Sequence, residues 1–255
     1  MAMRLPRLPG NAIVDTAIAD HVLATYTTLR WGLGLLALTF PVLLVAWGWW
    51  HGIGMQSSLS GYYFAAASAD RCIWFPARGV FVGVLCAISA GLYLYKGFTP
   101  LENVLLNVAA ICGVVVAWVP ERLDATQVAA CPILQPVLSD QPLAALHWGA
   151  AIGLFLCLGA VAWFCADKTL ASMPQSHQAR VPAFRRTYQA LAVLMVAGPL
   201  LALLVVPMVS ARYTVITLEA VGIWVFAAYW LVKSVELGLS GATQQATGGG
   251  WGRRR

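Results

Sequence analysis

Residues 143–164 read LAALHWGAAIGLFLCLGAVAWF, a stretch without a single formal charge. A helix of that length rises about 33 Å at 1.5 Å per residue, enough to cross a hydrocarbon core of about 30 Å. Five further windows share this character: residues 31–50, 79–95, 104–119, 191–209 and 215–232. Together they predict an all-α polytopic membrane protein with six transmembrane helices. The third window is short and carries Asn107, but the loop charges sort by side only if it crosses. Composition agrees, since 60% of the 255 residues are apolar and 10% are charged, against about 45–50% and about 25% in a soluble domain. Soluble globular domains, disordered chains, nucleic-acid modules and secreted disulfide scaffolds are excluded as whole-chain classes.

Lys and Arg set the orientation. With the N-terminus inside and six crossings, the inner side receives Arg4, Arg7, Arg30, Lys96, Lys168, Arg180, Arg185, Arg186, Lys233, Arg253, Arg254 and Arg255, and the outer side Arg71, Arg78, Arg122 and Arg212. Both termini are therefore expected in the cytoplasm of a bacterial inner membrane. Residues 1–30 read as a cytoplasmic N-terminal segment, with an interfacial amphipathic helix over 13–29 and no cleaved signal peptide. Residues 31–237 form the transmembrane domain, and 238–255 a flexible basic tail that anchors to anionic lipid rather than to nucleic acid. Trp31 and Trp47, Trp49 and Trp50 bracket the first window, and Trp148 and Trp163 the fourth, where amphipathic rings prefer to lie.

Within the windows, Pro41, Pro199 and Pro207 favour kinks. Gly79 with Gly83 and Ala109 with Gly113 are small-xxx-small pairs that pack inside the bundle or form a dimer face. The two halves share no pattern that would support an inverted-repeat transporter. Of six cysteines, Cys86, Cys112, Cys157 and Cys165 read as small apolar packing groups. Cys72 and Cys131 fall in the first and second outer loops, on the oxidising side, where a Cys72–Cys131 disulfide is expected against the alternative of two free thiols.

Ionisable groups inside a membrane are costly, which makes them candidates for function. Glu219 lies five residues into the sixth window and His147 four residues into the fourth. Both of those helices run inward from the outer side, so the two side chains share a depth. Arg78 stands at the outer mouth of the second window, His51 at the outer end of the first, and Arg212 two turns before Glu219. These groups read either as a buried ion pair or hydrogen-bonded cluster tying helices together, or as an outer-leaflet pocket. In the pocket, Arg78 takes an anionic group and Glu219 or His147 moves a proton. Haem or zinc ligation by His51 and His147 is a third reading, and no cofactor is expected from two histidines alone. The outer run SSLSGYYF, with Ser57, Ser58, Ser60, Tyr62 and Tyr63, carries no catalytic elbow or triad spacing. It reads as a loop folded over the bundle with its tyrosines at the interface, or as a lid on the pocket.

Several stretches carry a resemblance: SSLSGYY (57–63), ARGVFVGVLCAISAGLYLYKGFTPLEN (77–103), VVAWVPER (115–122), LHWGAAIGLFLCL (146–158) and TLEAVGIWVFAAYWLVKSVEL (217–237). In order and type they resemble a bacterial family of six-pass integral membrane proteins built around a domain of unknown function, loosely similar to the DRAM/FRAG-like proteins. The resemblance covers roughly residues 30–237. It implies the six-pass fold and singles out Ser58, Ser60, Tyr62, Tyr63, Arg78, Phe81, Gly83, Tyr95, Gly97, Pro120, His147 and Glu219. Gly61 stands where the family has Ala, and the stretch between the tyrosines and Arg78 is longer here. Ceramidase-type membrane metal hydrolases are disfavoured, because the chain has four histidines and no His-x-x-x-His.

The sequence therefore leads to an expectation of a non-enzymatic protein that binds or transfers a lipid or small amphipathic molecule in an outer-leaflet pocket. Arg78, His147, Glu219, Tyr62, Tyr63, Ser58, Ser60 and His51 are its candidate ligand-binding residues. Its partners are then membrane lipids, and membrane proteins or further copies of itself. The alternative is an accessory subunit of a larger membrane complex, such as a respiratory or photosynthetic one, and a metal hydrolase comes third.

Overall fold

The computed structural model describes residues 9–69, 72–121 and 141–240. Six long helices dominate the described residues: α1 (Pro9–Trp50), α2 (Pro76–Leu94), α3 (Pro100–Trp118), α4 (Gln141–Phe164), α5 (Val181–Val205) and α6 (Thr214–Ser240). Among the described residues five segments are long and apolar enough to cross a membrane, and the last of them, Gln175–Ser240, contains both α5 and α6. Each helix packs on its neighbour in sequence, and α6 closes back on α1. The result is a ring of six helices around a common interior. Large apolar side chains such as Leu35, Val42, Ile111, Ile152, Leu156 and Leu204 point outward, as expected of helices solvated by lipid rather than water.

The helix ends follow from local chemistry. Pro76 and Pro100 occupy first-turn positions, where a missing N–H costs nothing. Thr99 accepts the Glu102 N–H at 3.1 Å while a Glu102 carboxylate oxygen accepts the Phe98 N–H at 2.8 Å, a capping box that satisfies orphan donors from both sides. Residues 13–29 are helical and run into the first span as one helix, α1, unbroken from Pro9 to Trp50 with Pro41 within it. Two expectations change here. Pro207 is not inside a long helix: α5 ends at Val205, and Pro207 opens a single turn, Pro207–Ser210, before α6. The last helix does not stop at residue 232 but continues to Ser240, which moves the start of the tail from residue 238 to beyond Ser240. The remainder of that tail lies outside the described residues.

The 51–75 connection enters the bundle. It holds a 3-10 turn, Ser60–Tyr63, and a small antiparallel hairpin of β1 (Ala67–Ala69) and β2 (Cys72–Trp74). Two apolar cores result. One, around Phe40, Leu44, Leu59, Tyr62 and Phe81, lies at the end where this loop enters. The other, around Leu92, Tyr95, Leu158, Tyr188 and Trp230, lies towards the opposite end. Glycine permits close approach at two places: a Cβ on Gly48 would meet Tyr62 Cε1 at 2.7 Å, and one on Gly97 would meet the Asn103 backbone nitrogen at 2.8 Å. Gly79 and Gly83, by contrast, are exposed with nothing within 4 Å of an added Cβ, so this pair does not serve packing inside the bundle. Ala109 is fully buried, and Gly113 is buried as well.

Candidate functional site

The loop Ser57–Tyr63 is held by its own polar atoms. Gly61 N–H donates to Ser58 Oγ at 2.7 Å, a local serine turn. The Ser57 carbonyl accepts the Ile216 N–H at 2.9 Å, satisfying one of the donors that the first turn of α6 leaves open. Docked this way, the loop delivers Leu59 and Ser60 to the interior. The Leu59 N–H donates to Glu219 Oε2 at 2.6 Å, and Ser60 Oγ lies 3.2 Å from Glu219 Oε1. His147 Nε2 lies 3.1 Å from the same Ser60 Oγ, and His147 Nδ1 lies 2.5 Å from the Val119 carbonyl oxygen just past α3. Ser58 Oγ donates to the Glu121 carboxylate. Two carboxyl groups and one imidazole from α6, α4 and the end of α3 thus converge on one Ser-x-Ser loop. His147, Ser58 and Ser60 are each about 2–3% exposed.

Below this cluster the ring of helices lines a narrow cavity of about 60 Å³. Phe40, Phe81, Leu85, Leu154, Phe155 and Phe226 supply much of its wall, and among the described residues Ser60 and Glu219 are its only polar lining side chains. A second, lipid-side groove between α1 and α6 runs past Pro41, Trp49, Ala220 and Trp224 and shares Leu59 with the interior cavity.

The other predicted residues lie elsewhere. Arg78 donates through Nε to the Tyr63 carbonyl at 2.9 Å, and its guanidinium carbon sits 4.5, 5.3 and 4.1 Å from the ring centroids of Tyr63, Phe64 and Phe75. It clamps the loop to α2 by cation–π contact and does not line the cavity. Tyr62 is not at an interface: it is fully buried, and burial pushes its phenol above the ordinary range. His51 lies between the Trp47 and Trp74 rings, with Nδ1 2.8 Å from the Trp47 carbonyl. His147 has both ring nitrogens engaged, by Val119 and Ser60. Arg212 reaches the Met55 carbonyl at 3.4 Å. Cys131 and the side chain of Cys72 lie outside the described residues, so their pairing does too. Among the described residues, Cys86, Cys112, Cys157 and Cys165 are free thiols, with Cys165 buried and the others part-buried.

Sequence reasoning missed a second polar cluster, at the opposite end of the bundle. Lys233 Nζ donates to Glu236 Oε2 at 2.8 Å, to Thr169 Oγ1 at 2.6 Å and to the Ala166 carbonyl at 2.8 Å. Thr169 and Tyr188 donate to the same Glu236 oxygen at 3.0 and 3.1 Å. Arg30 (1% exposed), Glu102 (2%), Lys233 (1%) and Glu236 (0%) are all buried, two cations with two anions. The i,i+3 spacing of Lys233 and Glu236 and the Thr99-x-x-Glu102 capping box were the available signals. No family model, curated protein or solved structure matches the chain.

Proposed function

We propose that the protein is a six-span inner-membrane protein whose helical ring binds a lipid or small amphipathic molecule in its interior cavity, polar end against Glu219 and Ser60. The observation that carries this reading is the cavity itself, with apolar walls throughout and two polar side chains at one end only. Such a shape matches a molecule with an apolar body and a single polar group, since a polar group elsewhere along the wall would lose its hydration without gaining a partner. The groove on the far side of Leu59 is the surface nearest the cavity from which such a molecule would enter from the bilayer.

Six spans follow if α5 and α6 cross separately, each being long enough at 1.5 Å per residue. The loop end then faces outward by the positive-inside rule. Arg30 and Lys233 are internal charges rather than interfacial ones, and setting them aside still leaves ten basic residues inside against four outside. On that orientation Cys72 and Cys131 share the oxidising side and pair as a disulfide. The motif order supports membership of the six-pass family it resembles.

A second reading, an accessory or oligomeric subunit, is favoured by one observation: Gly79 and Gly83 present a smooth, exposed strip on α2, the kind of surface on which another helix packs closely. Gentle extraction followed by mass spectrometry of the intact protein separates the two. A bound amphipath retained by a lone chain supports the first, and stoichiometric protein partners with an empty cavity support the second.

A further inference from the structure

Val119 O, His147, Ser60 Oγ and Glu219 Oε1 form one chain of contacts at 2.5, 3.1 and 3.2 Å. Each of the three links needs a proton between its heavy atoms. A neutral imidazole supplies one, a serine hydroxyl one and a carboxylate none. The chain is one proton short. The Val119 carbonyl can only accept, so Nδ1 must carry a proton, and the missing one belongs to the remainder of the chain. We infer that Glu219, Ser60 and His147 are a binding site for one additional proton, held between the cavity wall and α4.

Two arrangements satisfy every link. In one, Glu219 is a carboxylic acid donating from Oε1 to Ser60 Oγ, and Ser60 donates to a bare His147 Nε2. In the other, His147 is an imidazolium donating from Nε2 to Ser60 Oγ, and Ser60 donates to the Glu219 carboxylate. They interconvert by two coupled hops: as Nε2 gives its proton to Ser60 Oγ, Ser60 gives its own to Oε1. No co-reactant is consumed, and the charge of the site does not change. Glu219 Oε2 accepts the Leu59 N–H in both, and Oε1, beside Ser60 Oγ, is the oxygen that gains and loses the proton. Glu219 and Ser60 line the cavity while His147 does not. The relay therefore carries a proton from α4 to the wall that a cavity guest would touch. It stands on these contacts whether or not a guest is present.

The surrounding ionisable groups leave the count unchanged. Glu121 at the end of α3 is engaged by Ser58, and its proximity to Glu219 favours a proton on the pair rather than removing one. From α2, Arg78 is held by the Tyr63 carbonyl and three rings, and Arg212, ahead of α6, reaches Met55. Tyr62, on the loop, is buried beside Gly48, and α1 presents Ala37 and Phe40 to the cavity and His51 only at its far tip.

Infrared difference spectroscopy of the full chain in lipid nanodiscs, titrated from neutral to alkaline pH, tests this. The expected result is a single deprotonation step for the pair, in which the carboxylic-acid and imidazolium bands, in the proportion in which the two arrangements coexist, are lost at one and the same pH. Glu219→Gln should remain folded, because its NH₂ donates to Ser60 and its carbonyl accepts from Leu59 as the acid does, and the step should vanish. Ser60→Ala should split the step into two separate titrations, while Ser60→Thr, which keeps the hydroxyl, should preserve it. The inference is overturned if Glu219→Gln fails to fold or keeps the step, or if Ser60→Ala titrates as one. Wild-type protein with an ionised Glu219 beside a neutral His147 at neutral pH overturns it equally.

Discussion

Lys233→Met is the sharpest probe of the ionic end of the bundle. The substitution keeps the length of the side chain and deletes three hydrogen bonds, at 2.8 Å to Glu236, 2.6 Å to Thr169 and 2.8 Å to Ala166. Glu236, with no exposed surface, is left with hydroxyl donors but without its paired ammonium. Removing one partner of a buried ion pair costs about 3–5 kcal/mol, because the surviving charge is uncompensated. Arg30 interacts electrostatically with Glu236, which places the expected loss near the lower bound, about 3 kcal/mol. Neutralising the survivor restores balance: Lys233→Met with Glu236→Gln keeps an acceptor for Thr169 and Tyr188 and should recover at least about 1.5 kcal/mol, within the usual coupling of contacting residues. Unfolding in mixed micelles, followed by tryptophan fluorescence, gives all four corners of the cycle. A single Lys233→Met that costs under about 1 kcal/mol, or a double variant equal to the sum of the singles, refutes the assignment.

Two further outcomes follow from the loop end. Gly48→Ala should destabilise the fold by about 1–3 kcal/mol through overpacking, because its Cβ meets Tyr62 at 2.7 Å; adding Tyr62→Leu should relieve most of that, and a Gly48→Ala protein as stable as wild type contradicts the close packing. Alkylation mapping of unreduced protein should find Cys72 and Cys131 blocked as a pair, with Cys86, Cys112, Cys157 and Cys165 free, and two alkylated loop thiols would remove the disulfide.

The helices were legible because each buries or lipidates a nearly uncharged run. Their ends were less so. Charge at Lys233 argued for ending the last span at residue 232, yet Glu236 one turn on neutralises it, and α6 continues to Ser240. Glu219 and His147 were legible from depth alone, since two helices running the same way place equal offsets at equal levels. Their connection was not, because Ser60 reaches them only after the loop folds inward, pinned by Ser57 to α6. Arg78 looked like an anion site for the same reason: nothing in the spacing of residues 63–75 announces that Tyr63, Phe64 and Phe75 will close around it. Glu102 drew no reading from the sequence; it caps α3 and is buried within electrostatic reach of Lys233 and Glu236.

The most direct test of the amphipath-binding cavity is intact-protein mass spectrometry after gentle extraction, comparing wild type with Ala37→Leu. Ala37 is fully buried and lines the cavity, so the larger side chain fills space that a guest would occupy, and a cavity with room accepts it without the penalty of overpacking. Wild type should carry one bound amphipathic molecule per chain, and Ala37→Leu should lose it while unfolding at or above the wild-type midpoint. An empty wild-type protein, or a guest retained undiminished by Ala37→Leu, contradicts the account.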